Sequence, residues 1–288
     1  MPSQPAQHDI TLNTIRMHCL RYPGGAPPLL LVHSLSGNGR IFDGLVAAGL
    51  APAFELLVPD MRGRGKTEAP LAGYSLDDGC ADLLALLDLF ALAQVAVCGH
   101  SFGALQGLYF AAHHPQRVSH LIMLDAAAEM HPATPFMLAV AAARLDKVFP
   151  SLGIYRELVK RAPFVNRWYE EMNGFVAADL ERIAPTGLLT SSSRSFIATL
   201  AGLHIYAHTP QDWRRCATMV AQPALLIQAS EPFLMGMPLV TEDKALQTVR
   251  LLPRGRYARV SGNHFTMLFG PGARGITAAI TSFLRPSV

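Results

Sequence analysis

Short apolar segments of strand length recur along this chain, and helical patterns separate them. The first, Leu29-Leu30-Leu31-Val32, has no polar position, so neither face of such a strand can be exposed to water. Strands of this kind that alternate with helices form a parallel sheet covered by helices on both sides. The other apolar segments are 55–58, 95–98, 121–124 and 224–227, the helical patterns are 39–50, 76–92 and 102–114, and residues 10–12 and 16–22 predict an opening hairpin.

The alternation of strands and helices stops after Asp125 and resumes at Pro223. Residues 128–220 carry helical patterns that several prolines divide into short pieces, and they contain no convincing strand. The sequence therefore predicts one α/β core, made of residues 1–127 and 221–288. A cap, residues 128–220, is inserted after the sixth strand, and we expect it to be helical throughout.

The segment Gly99-His100-Ser101-Phe102-Gly103 directly follows one predicted strand and precedes a helix. The pattern G-x-S-x-G in this context predicts a nucleophile elbow, a strained turn that raises the serine hydroxyl above the sheet. Glycines flank the turn because its tight backbone packing leaves no room for a Cβ atom. The helix that follows begins with the Phe102 amide, which points at developing negative charge. Ser101 is therefore the candidate nucleophile.

With these motifs, the chain resembles the α/β-hydrolase superfamily over nearly its whole length. Residues 31–35, Leu-Val-His-Ser-Leu, resemble the turn after the third strand of that family, and residues 60–65, Asp-Met-Arg-Gly-Arg-Gly, resemble the turn after the fourth. The resemblance implies a mostly parallel central sheet with helices on both faces. It also implies that the Leu35 amide joins the Phe102 amide as the oxyanion hole. Epoxide hydrolases and haloalkane dehalogenases of this fold carry aspartate in place of Ser101, which disfavours both activities.

Eleven histidines compete for the role of catalytic base. His264 follows a predicted strand at 256–260 and precedes the last helix, in the loop where this fold brings its histidine over the serine. His33 is interpreted instead as a structural residue of the turn at 31–35 that carries Leu35, which we call the oxyanion turn. His264 is therefore the candidate base.

Two carboxylates are in position to orient that histidine. Glu231 follows the seventh strand, where the acid is more common, and Asp125 ends the sixth. The C-terminal third, with Ala-Ser-Glu-Pro at 229–232 and Gly-Asn-His-Phe-Thr-Met-Leu at 262–268, resembles the thioesterase domains that release polyketides. Those domains take their acid from the sixth strand. The resemblance favours Asp125, with Glu231 as the alternative.

The predicted cap is rich in aromatic and apolar side chains, which are expected to roof the substrate pocket. Phe136, Trp168 and Met172 are the predicted substrate-binding residues, although most cap aromatics are expected only to pack helices together. No basic cluster is present that would hold a phosphate or a dianion. A medium-to-large apolar substrate is therefore expected.

These residues predict a serine esterase that works through an acyl-enzyme. A thioesterase or a lactone hydrolase would use the same residues. A C–C bond hydrolase is a further alternative, although such relatives usually show more glycines after His33. A non-catalytic receptor for a small apolar ligand is the alternative from another class, but the intact serine and histidine disfavour it.

Composition narrows the remaining functions. The net charge is only +3 and is not gathered into a run, so nucleic-acid binding is not predicted. Four cysteines without a CxxC pair, and no secretory pattern at the N-terminus, favour the cytoplasm. No zinc motif is present, and no metal or cofactor is expected. Mean hydropathy is +0.25 without a membrane-spanning run, which leaves a buried sheet, an apolar pocket or a homodimer interface to account for the apolar residues.

Overall fold

A computed structural model of the protein describes residues 4–285. Its strands are β1 (Ala6–Leu12), β2 (Ile15–Tyr22), β3 (Leu29–Val32), β4 (Leu56–Pro59), β5 (Val95–His100), β6 (Val118–Leu124), β7 (Val148–Phe149), β8 (Leu180–Ile183), β9 (Leu188–Ser191), β10 (Ala224–Ala229) and β11 (Gly255–Val260). Its α-helices are α1 (Asp43–Ala47), α2 (Leu50–Ala53), α3 (Leu76–Leu89), α4 (Phe102–His113), α5 (Thr134–Ala142), α6 (Leu152–Lys160), α7 (Met172–Ala178), α8 (Ser195–Ala207), α9 (Pro210–Met219), α10 (Glu242–Leu251) and α11 (Gly270–Leu284). Short 3₁₀ helices span Gly39–Phe42, Pro115–Arg117 and Thr266–Leu268.

Eight of the strands form the central sheet, in the order β1-β2-β4-β3-β5-β6-β10-β11. β1 pairs antiparallel with β2, and β2 pairs antiparallel with β4. All other pairs in this sheet are parallel. The predicted fold class is confirmed: a mostly parallel sheet carries one antiparallel hairpin at its edge.

The two faces of the sheet bury different side chains of the same strands. Leu30 and Val32 of β3 belong to one apolar cluster, together with residues of α3, α4, α9 and α10. Leu29 and Leu31 belong to a second cluster, together with residues of α1, α2 and α11. Because alternate side chains of a strand point to opposite faces, a strand covered on both sides must be apolar at every position. This explains the uninterrupted apolar segments of the sequence.

The segment after β6 differs from the expectation of a cap that is helical throughout. β7, β8 and β9 form a separate three-stranded antiparallel sheet in the order β7-β9-β8, and none of them joins the central sheet. β8 and β9 are joined by the turn at 184–187, where Gly187 has a φ of 72°. These strands have only two to four residues each, too few for a period-two pattern to be recognised in the sequence.

α9 lies inside the range predicted for the cap, residues 128–220. Thr209 caps α9, and Pro210 occupies its first turn. Trp213, Cys216 and Ala217 of α9 are buried in the same apolar cluster as α4 and α10. This part of the predicted cap range thus packs with helices that cover the central sheet. The residues of the predicted core at 1–3 and 286–288 lie outside the described part of the chain.

Across residues 4–285, no helix combines the length and the apolar character that crossing a bilayer requires.

Candidate active site

Ser101 lies in a strained turn between β5 and α4. Its φ of 57° and ψ of −119° are unusual for a residue with a side chain, and strain of this kind often marks functional sites. A Cβ atom on Gly99 would lie 2.0 Å from the carbonyl oxygen of Gly103, and one on Gly103 would lie 2.0 Å from that of Val32. Both glycines are therefore required for the backbone to turn sharply enough to raise the serine.

Asp125 contacts the ring of His264. Its Oδ2 lies 2.7 Å from His264 Nδ1, and its Oδ1 accepts a hydrogen bond of 3.0 Å from the Ala229 amide. Both side chains of the pair are buried. Asp125 directly follows β6, which pairs with β5 on one side and β10 on the other, so its position is fixed by the sheet. The structure thus brings the sixth-strand carboxylate to the histidine.

Glu231 does not contact the His264 ring. Its Oε1 accepts from the Gly262 amide at 3.1 Å, and its Oε2 accepts from Asn166 Nδ2 at 2.7 Å. Glu231 therefore links the loop that carries His264, which we call the histidine loop, to Asn166 in the cap. Within the same loop, the side chain of Asn263 accepts from the amides of Phe265 and Thr266.

Ser101 and His264 line one common cavity. No direct hydrogen bond joins Ser101 Oγ to the His264 ring in the described structure.

His100 packs beside the candidate base. Its ring centroid lies 4.6 Å from that of His264, and its Nε2 donates to the His264 carbonyl oxygen at 2.8 Å. Burial, with a smaller contribution from the neighbouring His264, holds the pKa of His100 well below its ordinary value. A neutral ring here supports the histidine loop without placing a second positive charge against an imidazolium.

His33 shapes the turn that carries Leu35. Its Nδ1 donates to the Ser34 carbonyl at 2.8 Å, and its Nε2 accepts from the Met61 amide at 2.9 Å. Burial lowers the pKa of His33 to about 4, so the ring is neutral at pH 7. Arg64 Nε donates to the Leu35 carbonyl at 3.1 Å, which fixes the orientation of this turn.

The amides of Leu35 and Phe102 are available to a ligand. Neither donates a hydrogen bond to any group among residues 4–285. Both residues border the cavity system at Ser101. Two unpaired amides next to a candidate nucleophile are the arrangement that stabilises an oxyanion.

A cavity of about 310 Å³ separates the cap from Ser101 and His264. Its walls are mostly apolar. Cap residues that line it include Leu138, Val140, Ala141, Leu158, Val159, Ala162, Phe164 and Phe175, and core residues include Ile41, Phe233 and Phe265.

The three predicted substrate-binding residues do not line this cavity. Phe136, in α5, is 55% exposed and does not line the cavity. Met172 is fully buried where α7 packs against the core. Trp168 packs against the same apolar cluster, and Lys160 Nζ lies 5.2 Å from its ring centroid. The structure therefore does not bring Phe136, Trp168 or Met172 to this cavity, because aromatic composition alone does not reveal which way a side chain points.

Arg144 connects the cap to the oxyanion turn. Its Nε lies 2.9 Å from Asp179 Oδ2, and its Nη2 donates to the Ser36 carbonyl at 2.6 Å. Tyr155 also donates its hydroxyl to Asp179. Burial lowers the pKa of Arg144, but the Asp179 carboxylate outweighs this effect and raises that pKa above its ordinary value. The buried charge is thus compensated inside the protein. Lys147, which also lines this cavity, is exposed to solvent.

A second, smaller cavity of about 50 Å³ also borders Ser101. It shares Leu35, Ser101 and Leu138 with the larger cavity, but neither His264 nor His100 lines it. Its remaining walls are Phe102, Leu105, Met130, Thr134, Gly202, Ile205, Tyr206 and Leu239.

Comparison with known proteins agrees with this geometry. The model of the α/β hydrolase fold family matches residues 27–271. The chain belongs to this family.

Individual similarities add detail. An uncharacterized protein of Mycobacterium bovis is 33% identical over 154 residues, which cover 49% of this chain and 44% of that protein. The chain thus spans less than half the length of this curated relative. The crystal structure of E-2-(acetamidomethylene)succinate hydrolase is similar with a TM-score of 0.82, at 20% identity and with 98% of each chain covered. The thioesterase domain from the curacin biosynthetic pathway is similar with a TM-score of 0.76, at 16% identity, covering 98% of this chain and 99% of that domain.

Sequence reasoning missed three features of the site. His100 packs against His264, which lies 164 residues away in the sequence, so no local pattern indicates this contact. The role of Arg144 depends on Asp179, which is 35 residues away, so no local pattern marks either residue. The small cavity is enclosed by residues from both core and cap, and no local pattern in the sequence indicates it.

Among the described residues, no group of three or more His, Cys, Asp or Glu is arranged to hold a metal ion.

Proposed function

We propose that the protein is a serine hydrolase that cleaves a carboxylic ester of an apolar substrate through an acyl-enzyme. One observation supports this proposal: Asp125 Oδ2 lies 2.7 Å from His264 Nδ1, and Ser101, in its strained elbow, lines the same cavity as His264. A nucleophile, a base and a group that orients the base are the minimum for this chemistry.

In the proposed reaction, Ser101 Oγ attacks the ester carbonyl carbon, and His264 Nε2 takes the hydroxyl proton. Asp125 holds the proton on His264 Nδ1 and stabilises the imidazolium that forms. The amides of Leu35 and Phe102 donate to the oxyanion, and loss of one such donor typically raises the barrier by about 3 kcal/mol.

His264 then returns the proton to the leaving alcohol, and the C–O bond of the ester breaks. Water attacks the acyl-enzyme by the same route, with His264 again acting as the base. The walls of the 310 Å³ cavity are mostly apolar, and the guanidinium of Arg144 in this wall is already neutralised by Asp179. Both features support an apolar substrate.

A thioester or a lactone is the second candidate substrate class. The position of Asp125 at the end of β6 favours it, because the polyketide-releasing thioesterases that the C-terminal third resembles take their acid there.

Four buried cysteines that form no disulfide favour a reducing compartment such as the cytoplasm.

The experiment is turnover of p-nitrophenyl esters, acyl thioesters and lactones by the wild-type protein and by Ser101→Ala. We expect Ser101→Ala to lose at least three powers of ten in kcat without a change in fold, because it removes the nucleophile. A p-nitrophenyl phosphonate should add covalently to Ser101, as located by mass spectrometry. A variant with a tenth of wild-type turnover, or an adduct on another serine, would contradict the proposal, and ligand binding without turnover would favour a receptor.

A further inference from the structure

Two cavities of very different size meet at Ser101. The larger, of about 310 Å³, is lined by His264, and the smaller, of about 50 Å³, is lined by Phe102 but not by His264. Leu35 borders both. The candidate nucleophile and one oxyanion amide thus lie where the two spaces join.

The chemistry of acyl transfer assigns the two cavities to different parts of the substrate. The tetrahedral intermediate carries an oxyanion, a leaving-group oxygen and an acyl substituent on the attacked carbon. His264 must reach the leaving-group oxygen to protonate it, so the leaving group lies on the side of the histidine. The oxyanion lies at the amides of Leu35 and Phe102. The acyl substituent must therefore point away from His264, toward the small cavity, which His264 does not line.

Resting on the proposed function, we infer that the small cavity is the acyl pocket and the large cavity holds the alcohol. Each water-sized group needs about 10 to 15 Å³ of cavity volume. The small cavity, of about 50 Å³, therefore holds only a few heavy atoms. The substrate is accordingly an ester of a short acid, from acetate to about butyrate, with a bulky apolar alcohol. When that alcohol leaves, the large cavity admits the water that His264 activates for deacylation.

Gly202 provides a mild way to change the acyl pocket. It lies in α8 and lines the small cavity. An added Cβ would lie 3.7 Å from Leu35 Cδ2 and 3.9 Å from Tyr206 Cε2, which are ordinary contact distances. Alanine is also a better helix former than glycine, so Gly202→Ala should fold at least as well as the wild type. The methyl group would occupy part of the small cavity.

Ile205 and Leu158 supply the opposite change and the matched control. Ile205 lines only the small cavity of these two, and Ile205→Ala would enlarge it. Leu158 lines the large cavity and not the small one, and Leu158→Ala removes a similar apolar volume there. All three variants keep Ser101, His264 and Asp125.

The test measures kcat/KM for p-nitrophenyl acetate, butyrate and octanoate, and for acetates of ethanol, hexanol and 2-naphthylmethanol. Wild-type kcat/KM should fall at least tenfold from butyrate to octanoate, and should rise or stay constant as the alcohol grows. Gly202→Ala should lower the butyrate-to-acetate ratio at least threefold, and Ile205→Ala should raise the octanoate-to-acetate ratio. Leu158→Ala should leave both acyl ratios within twofold of wild type and change only the preference among alcohols.

Phosphonate inactivation supplies a readout that does not need turnover. The alkyl group on phosphorus stands in for the acyl substituent, so a methylphosphonate should label Ser101 at least tenfold faster than an octylphosphonate. Faster reaction with octanoyl or octyl reagents, or a change of acyl ratio in Leu158→Ala and not in Gly202→Ala, would overturn the assignment while leaving the hydrolase proposal standing. Absence of both turnover and labelling at Ser101 would overturn the hydrolase proposal, and the assignment with it.

Discussion

Replacing Asp125 with asparagine removes the charge behind His264 while keeping the shape of the side chain. In the structure, Asp125 Oδ1 accepts from the Ala229 amide at 3.0 Å, and Oδ2 lies 2.7 Å from His264 Nδ1. The asparagine oxygen would keep the bond to Ala229, because the amide there offers only a proton. The NH₂ group would then face His264 Nδ1 and require that nitrogen to act as the acceptor.

This exchange of roles determines the size of the effect. With Nδ1 accepting, the ring proton moves to Nε2, which can no longer take the proton of Ser101. The imidazolium also loses the carboxylate that stabilises it. Holding the histidine in the wrong tautomer costs up to about four powers of ten in kcat, which corresponds to about 5.5 kcal/mol of barrier. We expect Asp125→Asn to lower kcat by about 10³ to 10⁴ at pH 7.

The assay is steady-state hydrolysis of p-nitrophenyl butyrate, with circular dichroism to verify the fold. Glu231→Gln is the matched control, since it removes the charge of the alternative acid while its oxygen still accepts from the Gly262 amide. The control should keep at least half of wild-type kcat. If Asp125→Asn kept more than a tenth of the activity, or if Glu231→Gln were the more damaged variant, Asp125 would not be the acid.

Two further predictions concern stability. Arg144→Met leaves the buried Asp179 carboxylate without its guanidinium. It should lower the free energy of unfolding by about 3 to 5 kcal/mol, or Tm by about 5 to 8 °C, in calorimetry. The double variant with Asp179→Asn should recover part of this loss, and an unchanged Tm in the single variant would refute the role of the pair. Acidification from pH 7 to pH 5 should also destabilise the protein. The unfolded chain protonates His33 near its ordinary pKa of about 6.5, whereas burial lowers the folded pKa to about 4, so the unfolded state binds the extra proton in this window. His33 alone contributes a loss of about 2 kcal/mol, measurable by urea unfolding, and equal stability at both pH values would contradict its neutral, buried state.

The central sheet was predictable because its signal is local. A strand covered on both faces must be apolar at every position, so Leu29–Val32 is recognisable without knowing its neighbours. The short strands of the cap, such as Val148–Phe149, have only two to four residues each and therefore leave no such pattern. In the structure, β7 and β8 each pair with β9.

The sequence by itself determined the sheet, the elbow of Ser101 and the loop of His264, since these follow from apolar runs and from glycines at a turn too tight for a Cβ atom. Only the tertiary structure shows which of the two carboxylates contacts His264. Asp125 reaches a histidine 139 residues away because β6 ends next to β5 and β10, whereas Glu231 is held by Gly262 and Asn166. The cavity walls were decided in the same way. Which cap side chains face Ser101 depends on how α5 to α8 pack on the core, and contacts between distant segments are not encoded in any local pattern of residues.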